Sequence, residues 1–187
     1  MTEYKIEFTD RIRRRQRKKA VKCYLQGLAE LITNSDGSYQ NIEKKKEKTS
    51  GEIIISIDRI DRTFEIIDKA EGISKEDMIE IFTKTGAKHK THKAGGRSLF
   101  GKGLPDTLFS PIMEIGSGEV HSIKDGKYAW AHFKKDKKNE EAVDIKPDEG
   151  EEEVTKTLRK KLKIEGGNGT LVIFKLSQKE TFPRDDT

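Results

Sequence analysis

Hydrophobic positions along the chain follow two spacings. Behind a basic segment at 11–22, apolar residues fall at Val21, Tyr24, Leu25, Leu28, Ala29 and Ile32. Steps of three and four place them along one side of a helix, predicted over 15–34 and ended by the turn-formers of NSDGSYQN. IEKKKEKTSG reads as a polar loop. EIIISID and TFEIIDK flank a short turn at 59–62 and predict a β-hairpin. Ser74, with Asp77 three residues on, caps a short helix in SKEDMIEIF. TKTGAKHKTHKAGGRS has no apolar period and reads as a mobile loop. GLPDTLFS predicts a helix with Pro105 in its first turn.

The second half is richer in strands. IMEIGSGEVHSI and KYAWAHF flank Asp125-Gly126, a strong hairpin signal, and Trp130 and Phe133 read as core or sheet-face residues. KKDKKNEEAVDIKPDEGEEE reads as a charged insertion at about 134–153, looping over the surface. VTKTLRKKLKI fits a short helix, and GGNG turns the chain into TLVIFKL, the last strand. This order predicts an α+β fold, a two-layer α/β sandwich with helices on one face of a mostly antiparallel, mixed sheet. One domain over 1–187 is expected, with an ordered core at about 15–178.

Composition narrows the function classes. A chain of 187 residues can bury a real core, although charged residues (38%) outnumber hydrophobic ones (32%). The net charge of +5 permits phosphate binding without singling out nucleic acid. The single cysteine, Cys23, excludes an internal disulfide and reads as an inert, buried thiol. No apolar run reaches membrane-spanning length, and the N-terminus is too charged for a signal peptide. A cytoplasmic protein with no membrane partner is the expectation.

Four short stretches then stand out, each at an element boundary. ELITN puts Glu30 and Asn34 four residues apart on one helix face. DKAEG sets Asp68 at a strand end, before the small residues Ala70 and Gly72. GGRSLFGKGL is a glycine loop running into a helix, whose exposed N–H groups suit phosphate. GNGT precedes the final strand.

In this order and spacing the sequence resembles the Bergerat-fold (GHKL) ATPases, the superfamily of gyrase B, the ninety-kilodalton heat-shock chaperones, histidine kinases and MutL. The E-x-x-x-N box of that superfamily matches Glu30 and Asn34. Its D-x-G-x-G box matches Asp68, Ala70 and Gly72, its G-x-x-G-x-G box Ser98, Gly101 and Gly103, and its late Gly-Thr pair Gly169 and Thr170. KTGAK at 84–88 is similar to the lid of the chaperone branch. Ala70 and Ser98 depart from the pattern, each replacing a glycine with another small residue.

The resemblance implies ATP and Mg2+ as cofactors and slow ATP hydrolysis that drives a lid or dimerisation switch. By it, Asp68 accepts from the adenine amine, Thr170 shares a water with Asp68 and the base, and Gly72 lets the ring lie close, with Ala70 and Ile73 beside it. Asn34 is the metal ligand. Glu30 orients and deprotonates the attacking water. The backbone of Phe100, Gly101, Lys102, Gly103 and Leu104 cradles phosphates, and Lys88 reaches them from the lid. It further implies ATP or ADP as ligand, a homodimer formed through the full-length protein, and a longer chain of which this is the N-terminal part.

Other readings compete. Gly96 to Lys102 fits the first seven positions of a P-loop, but Gly103 stands where that motif needs Ser or Thr. His89 and His92 have no acid or thiol cluster beside them. A catalytically silent nucleotide sensor is one alternative. A nucleic-acid-binding module using the basic surface is another, although no zinc spacing or aromatic RNA-binding motif supports it.

Overall fold

The computed structural model describes residues 21–47, 51–83, 103–114, 116–135, 141–148 and 152–181. The elements run α1 (Tyr24–Lys44), β1 (Ile53–Asp58), β2 (Thr63–Asp68), α2 (Lys75–Thr83), α3 (Gly103–Leu108), β3 (Gly118–Lys124), β4 (Lys127–Lys135), β5 (Glu141–Lys146), β6 (Glu152–Glu153), α4 (Lys156–Leu162) and β7 (Gly169–Lys175). The strands form a seven-stranded sheet in the order β1-β2-β7-β3-β4-β5, with β6 paired to β4. The expected α+β sandwich is present. Every strand pair among the described residues is antiparallel, with none of the parallel pairing that a mixed sheet would add.

Strand alternation divides the side chains between two faces. Phe64 and Ile66 of β2, Val172 and Phe174 of β7, Val120 of β3, and Ala129, Ala131 and Phe133 of β4 meet α1, α2 and α3 in the main core. Phe64 stacks on Phe174 with ring centroids 5.2 Å apart. The opposite face carries Ile67, Leu171, Ile123 and Tyr128, and there Leu162 and Ile164 cover a second cluster. The expectation of helices on one face is therefore corrected for α4. Leu158 and Leu162 on its apolar side pack on that face, in the cluster where Ile67 and Leu171 are buried, while its lysines and arginine lie on the other side. Burial pushes the Tyr128 hydroxyl up to about 12; it lies 2.8 Å from His121 Nδ1, and His121 Nε2 lies 2.9 Å from a Glu119 carboxylate oxygen.

The largest difference from expectation is α1. It does not stop at Asn34 but continues through NSDGSYQN to Lys44. Turn-forming residues lose here to tertiary contacts. Gly27, Leu31, Ser35, Tyr39 and Ile42 are all buried and repeat at helical spacing. Tyr39 accepts from the Lys69 N–H at 2.9 Å and donates to the Glu52 carbonyl. The buried side is therefore rotated from the predicted one: Leu25 is 60% exposed and Ala29 faces solvent, while Leu31 packs inward. Cys23 is half-exposed at the N-cap position of α1, making no side-chain cap bond, rather than buried in a helix interior. The part of the predicted helix before residue 21 lies outside the described residues.

Both hairpins form as predicted. Asp125 and Gly126 have φ of 50° and 78°, the two positive values of a type I′ turn. Ser74 Oγ accepts from the Asp77 N–H at 3.1 Å and caps α2. The second hairpin starts later than IMEI, at Gly118, and Met113 makes only a single bridge to Leu176. The charged stretch expected to loop over the surface instead carries β5, because Val143 and Ile145 alternate with polar residues and reach the main core.

Gly37 lies inside α1 with nothing within 4 Å of where a Cβ would stand. Gly37→Ala should therefore stabilise the fold by about 0.8–1 kcal/mol, the helix-interior difference between the two residues. Urea unfolding of both proteins reads this; a loss of stability would mean that the helix ends before residue 37.

Candidate functional site

The site is built from the inside of α1 outwards. Gly27 leaves room for α3: a Cβ there would stand 3.1 Å from Thr107 Cγ2. One turn later, α1 meets the first residue of α3. A Cβ on Gly103 would lie 2.6 Å from Glu30 Oε2, 3.4 Å from Asn34 Nδ2 and 3.7 Å from Asn34 Oδ1. Two glycines thus let α3 approach α1, and the second brings its backbone against both polar side chains of ELITN. Asn34 Nδ2 is buried with no hydrogen-bond partner among the described residues. Such a donor costs the fold about 1–3 kcal/mol, so it marks a place where a polar ligand atom would be favourable.

The second half of the site is the end of β2. Asp68 is 7% exposed. Its Oδ2 accepts from Ser35 Oγ at 2.9 Å and its Oδ1 from the Ala70 N–H at 3.1 Å. Burial raises the carboxyl above the ordinary aspartate range, against the hydrogen bonds from Ser35 and the Ala70 and Thr170 amides, which favour the charge. Asp68 stands opposite Thr170 in the β2–β7 register. Gly169 permits this approach, since a Cβ there would lie 2.5 Å from the Asp68 carbonyl oxygen.

The turn after Asp68 is anchored on both sides. Ser38 Oγ accepts from the Glu71 N–H at 3.1 Å, and the Glu71 carboxylate takes Asn41 Nδ2 at 3.0 Å and Lys45 Nζ at 2.6 Å. On the sheet side, Ser122 Oγ accepts from the Ile73 N–H at 2.7 Å, donates to the Gly169 carbonyl at 3.0 Å and lies 3.3 Å from Thr170 Oγ1.

Several sequence expectations change. Gly72 was expected to be small for a ligand ring; the structure gives the glycine a reason of its own, since its φ is +68° and a Cβ would strike the Ile123 carbonyl oxygen at 2.2 Å. Backbone crowding against β3 requires that glycine. Ala70 is 3% exposed and packs with Tyr39, Ile42 and Ile53, so its side chain faces α1 rather than an open pocket. Leu104 belongs to the main core, leaving only its backbone for a ligand. Ile73 packs on that core and lines a cavity of about 280 Å³ with Ser74, Lys75, Lys124 and Tyr128, but Glu30, Asn34, Asp68 and Thr170 do not line it. Lys88, Phe100, Gly101 and Lys102 lie outside the described residues, as do the segment expected to form a lid and the basic segment 11–20.

Glu30, Asn34 and Gly103 are thus brought together, and Asp68 and Thr170 are brought together beside Ser35, the residue of α1 that follows Asn34. Ser35, Ser38, Tyr39 and Ser122 escaped the sequence reading. The first three were hidden by ending α1 at Asn34, although Leu31, Ser35, Tyr39 and Ile42 keep the helical spacing. Nothing local marks Ser122.

No family model and no curated protein matches this chain. In fold it is similar to the B subunit of the DNA gyrase from Myxococcus xanthus, with a TM-score of 0.52 and 11% identity over 94% of this chain. The chain spans 46% of the length of that subunit. The likeness shows a gyrase B-like fold. No helix among the described residues is long and apolar enough to cross a membrane.

Gly72→Ala should destabilise the fold by roughly 2–5 kcal/mol, the sum of a left-handed backbone and an overpacked contact. Chemical denaturation measures this. A loss under about 0.5 kcal/mol would show that β3 does not press on the turn as described.

Proposed function

We propose that this domain binds ATP and ADP with Mg2+ and hydrolyses ATP slowly, with Glu30 as general base. The observation that carries this reading is the convergence of Glu30 and Asn34 on Gly103, from a segment 69 residues beyond Asn34. A carboxylate, a carboxamide and the backbone of a glycine-rich loop are what hydrolysis of a phosphoanhydride needs: a base for water, a neutral oxygen for a cation, and N–H donors for phosphate.

The residues fit a magnesium ion. Asn34 can give it a carbonyl oxygen while the unpaired Nδ2 donates to a phosphate oxygen. Among the described residues no cluster of three His, Cys, Asp or Glu could hold a metal, so the ion would take its other ligands from phosphate and water, as magnesium usually does. When bound, it supplies charge neutralisation at the phosphates. Glu30 is solvent-exposed and one turn before Asn34, where it can hold a water and accept its proton. Asp68 accepts from the adenine amine, and Thr170 reaches the same end of the base. A carboxylate there repels the oxygen that guanine presents. The backbone near Gly103 holds phosphate. The switch to which turnover is coupled, through a lid or a homodimer, belongs to the same proposal, and the gyrase B-like fold supports the nucleotide part of it.

Titration calorimetry with ATP and GTP should show clear preference for ATP, and Asp68→Asn should weaken ATP by roughly 1.5–3 kcal/mol, the scale of a hydrogen bond to a charged group. Equal affinities would remove the adenine assignment. Phosphate release should fall about 10²–10⁴-fold in Glu30→Ala with ATP affinity nearly kept, whereas Asn34→Ala should weaken magnesium-dependent binding itself. Unchanged turnover in Glu30→Ala ends the general-base role. A wild-type protein that binds ATP and never turns it over favours a nucleotide sensor.

The raised pKa of Asp68 gives a pH dependence. Its ionised form accepts from adenine, so affinity should fall as pH drops through the folded value, which lies above the ordinary aspartate value of about 3.9. For folding the sign is opposite: ionisation costs more in the fold, so this group's contribution to stability declines as pH rises between the unfolded and folded values. ATP affinity measured against pH for wild type and Asp68→Asn checks this. The acidic loss should be larger in wild type, and parallel curves would exclude Asp68 as the acceptor.

A further inference from the structure

We infer that Ser122 determines base specificity by fixing which way the Thr170 hydroxyl points, an inference that rests on the adenine reading of this site. Ser122 lies in the middle of the sheet and is fully buried. Its hydroxyl has one proton and two lone pairs. The proton goes to the Gly169 carbonyl at 3.0 Å, and one lone pair takes the Ile73 N–H at 2.7 Å. The remaining lone pair faces Thr170 Oγ1 at 3.3 Å. With the Ser122 proton placed on Gly169, Thr170 is the donor of this pair. The Thr170 oxygen therefore turns only lone pairs towards the space it shares with Asp68.

That arrangement makes the polar end of the site acceptor-only. Asp68 Oδ1 and Oδ2 already accept from Ala70 and Ser35, and an ionised carboxylate has no proton to give. With Thr170 locked in the same sense, this end suits a group carrying hydrogens, such as a purine 6-amino group or a water that hydrogen-bonds it. A 6-oxo purine would set its oxygen against two acceptors. The two neighbouring glycine-bearing segments are held by the same side chain, since Ser122 bonds both the residue after Gly72 and Gly169 itself. Ser122 is thus a positioning residue that need not touch the nucleotide.

Without the Ser122 oxygen, the Thr170 hydroxyl is free to rotate and offer its proton to the base. Ser122→Ala should therefore weaken ATP while relatively favouring inosine triphosphate, which differs from ATP only in carrying a 6-oxo group and a ring N–H. Wild type should prefer ATP by about 10–100-fold, and the variant should narrow this preference by about tenfold. The measurement is competition binding of ATP and inosine triphosphate to both proteins, with thermal unfolding recorded alongside. General damage to the pocket would lower both affinities together; a preference kept within twofold while both decline would make Ser122 structural only and overturn the inference. Should Ser122→Ala not fold, Ser122→Cys keeps the size and weakens the hydrogen bonds, and should narrow the preference in the same direction. An unchanged preference in folded Ser122→Cys also overturns it. Failure of wild type to bind either triphosphate, or to distinguish them, would instead reject the adenine reading beneath it.

Discussion

A carboxylate buried at the end of β2 is the constraint around which the described structure is organised. Taking Asp68 out of water is costly unless its oxygens are met by donors, and those donors come from three places. Ser35 comes from α1, the Ala70 amide from the turn that follows, and the Thr170 amide from β7. None is adjacent in sequence to all the others. Satisfying one side chain therefore fixes the rotation of α1, the path of the turn and the pairing of β2 with β7 together. A small error in any one leaves a charged group without partners, which is among the more damaging faults a core can have.

The same helix supports both halves of the candidate site. Its middle turns carry Glu30, Asn34 and Ser35, and the turn after them carries Ser38 and Tyr39. Glycine appears where backbones must come close: Gly27 and Gly103 between α1 and α3, Gly72 and Gly169 where the turn and β7 meet their neighbours. In each case the missing Cβ gives its space to another protein atom. Small residues beside a binding motif can thus be required by the packing that makes the motif possible, as Gly72 and Ala70 are here.

Much of this could be read from the chain, for definable reasons. Hairpins were legible because Asp125-Gly126, and the isoleucine-rich runs of β1 and β2 on either side of a short turn, are local signals. The short helix α2 was legible from Ser74 and Asp77. The end of α1 was not, because Asn34, Ser35, Asp36 and Gly37 in isolation favour a turn. What overrides that preference is contact with Asp68, Lys69, Glu71 and Glu52, all distant in sequence. Strand β5 was concealed by composition, since lysines and acids outnumber Val143 and Ile145. The pairing of Glu30 with Asn34 needed only helical geometry, whereas their closeness to Gly103, and the place of Ser122, are products of the tertiary fold.

Strand order has a consequence for how the molecule comes into being. β7 sits between β2 and β3, so the centre of the sheet is made by the last strand in sequence, and Thr63 pairs with Lys175 across the separation. During synthesis, β1 and β2 emerge as a hairpin whose inner edge has nothing to join until β7 arrives. β3 and β4 wait in the same way on their side. Closing the sheet must therefore be a late, non-local event with a large loop-closure entropy, the topology associated with slow folding. Until it happens, the chain exposes two hairpins with open apolar faces, and a polypeptide with such intermediates is prone to self-association while it is being made.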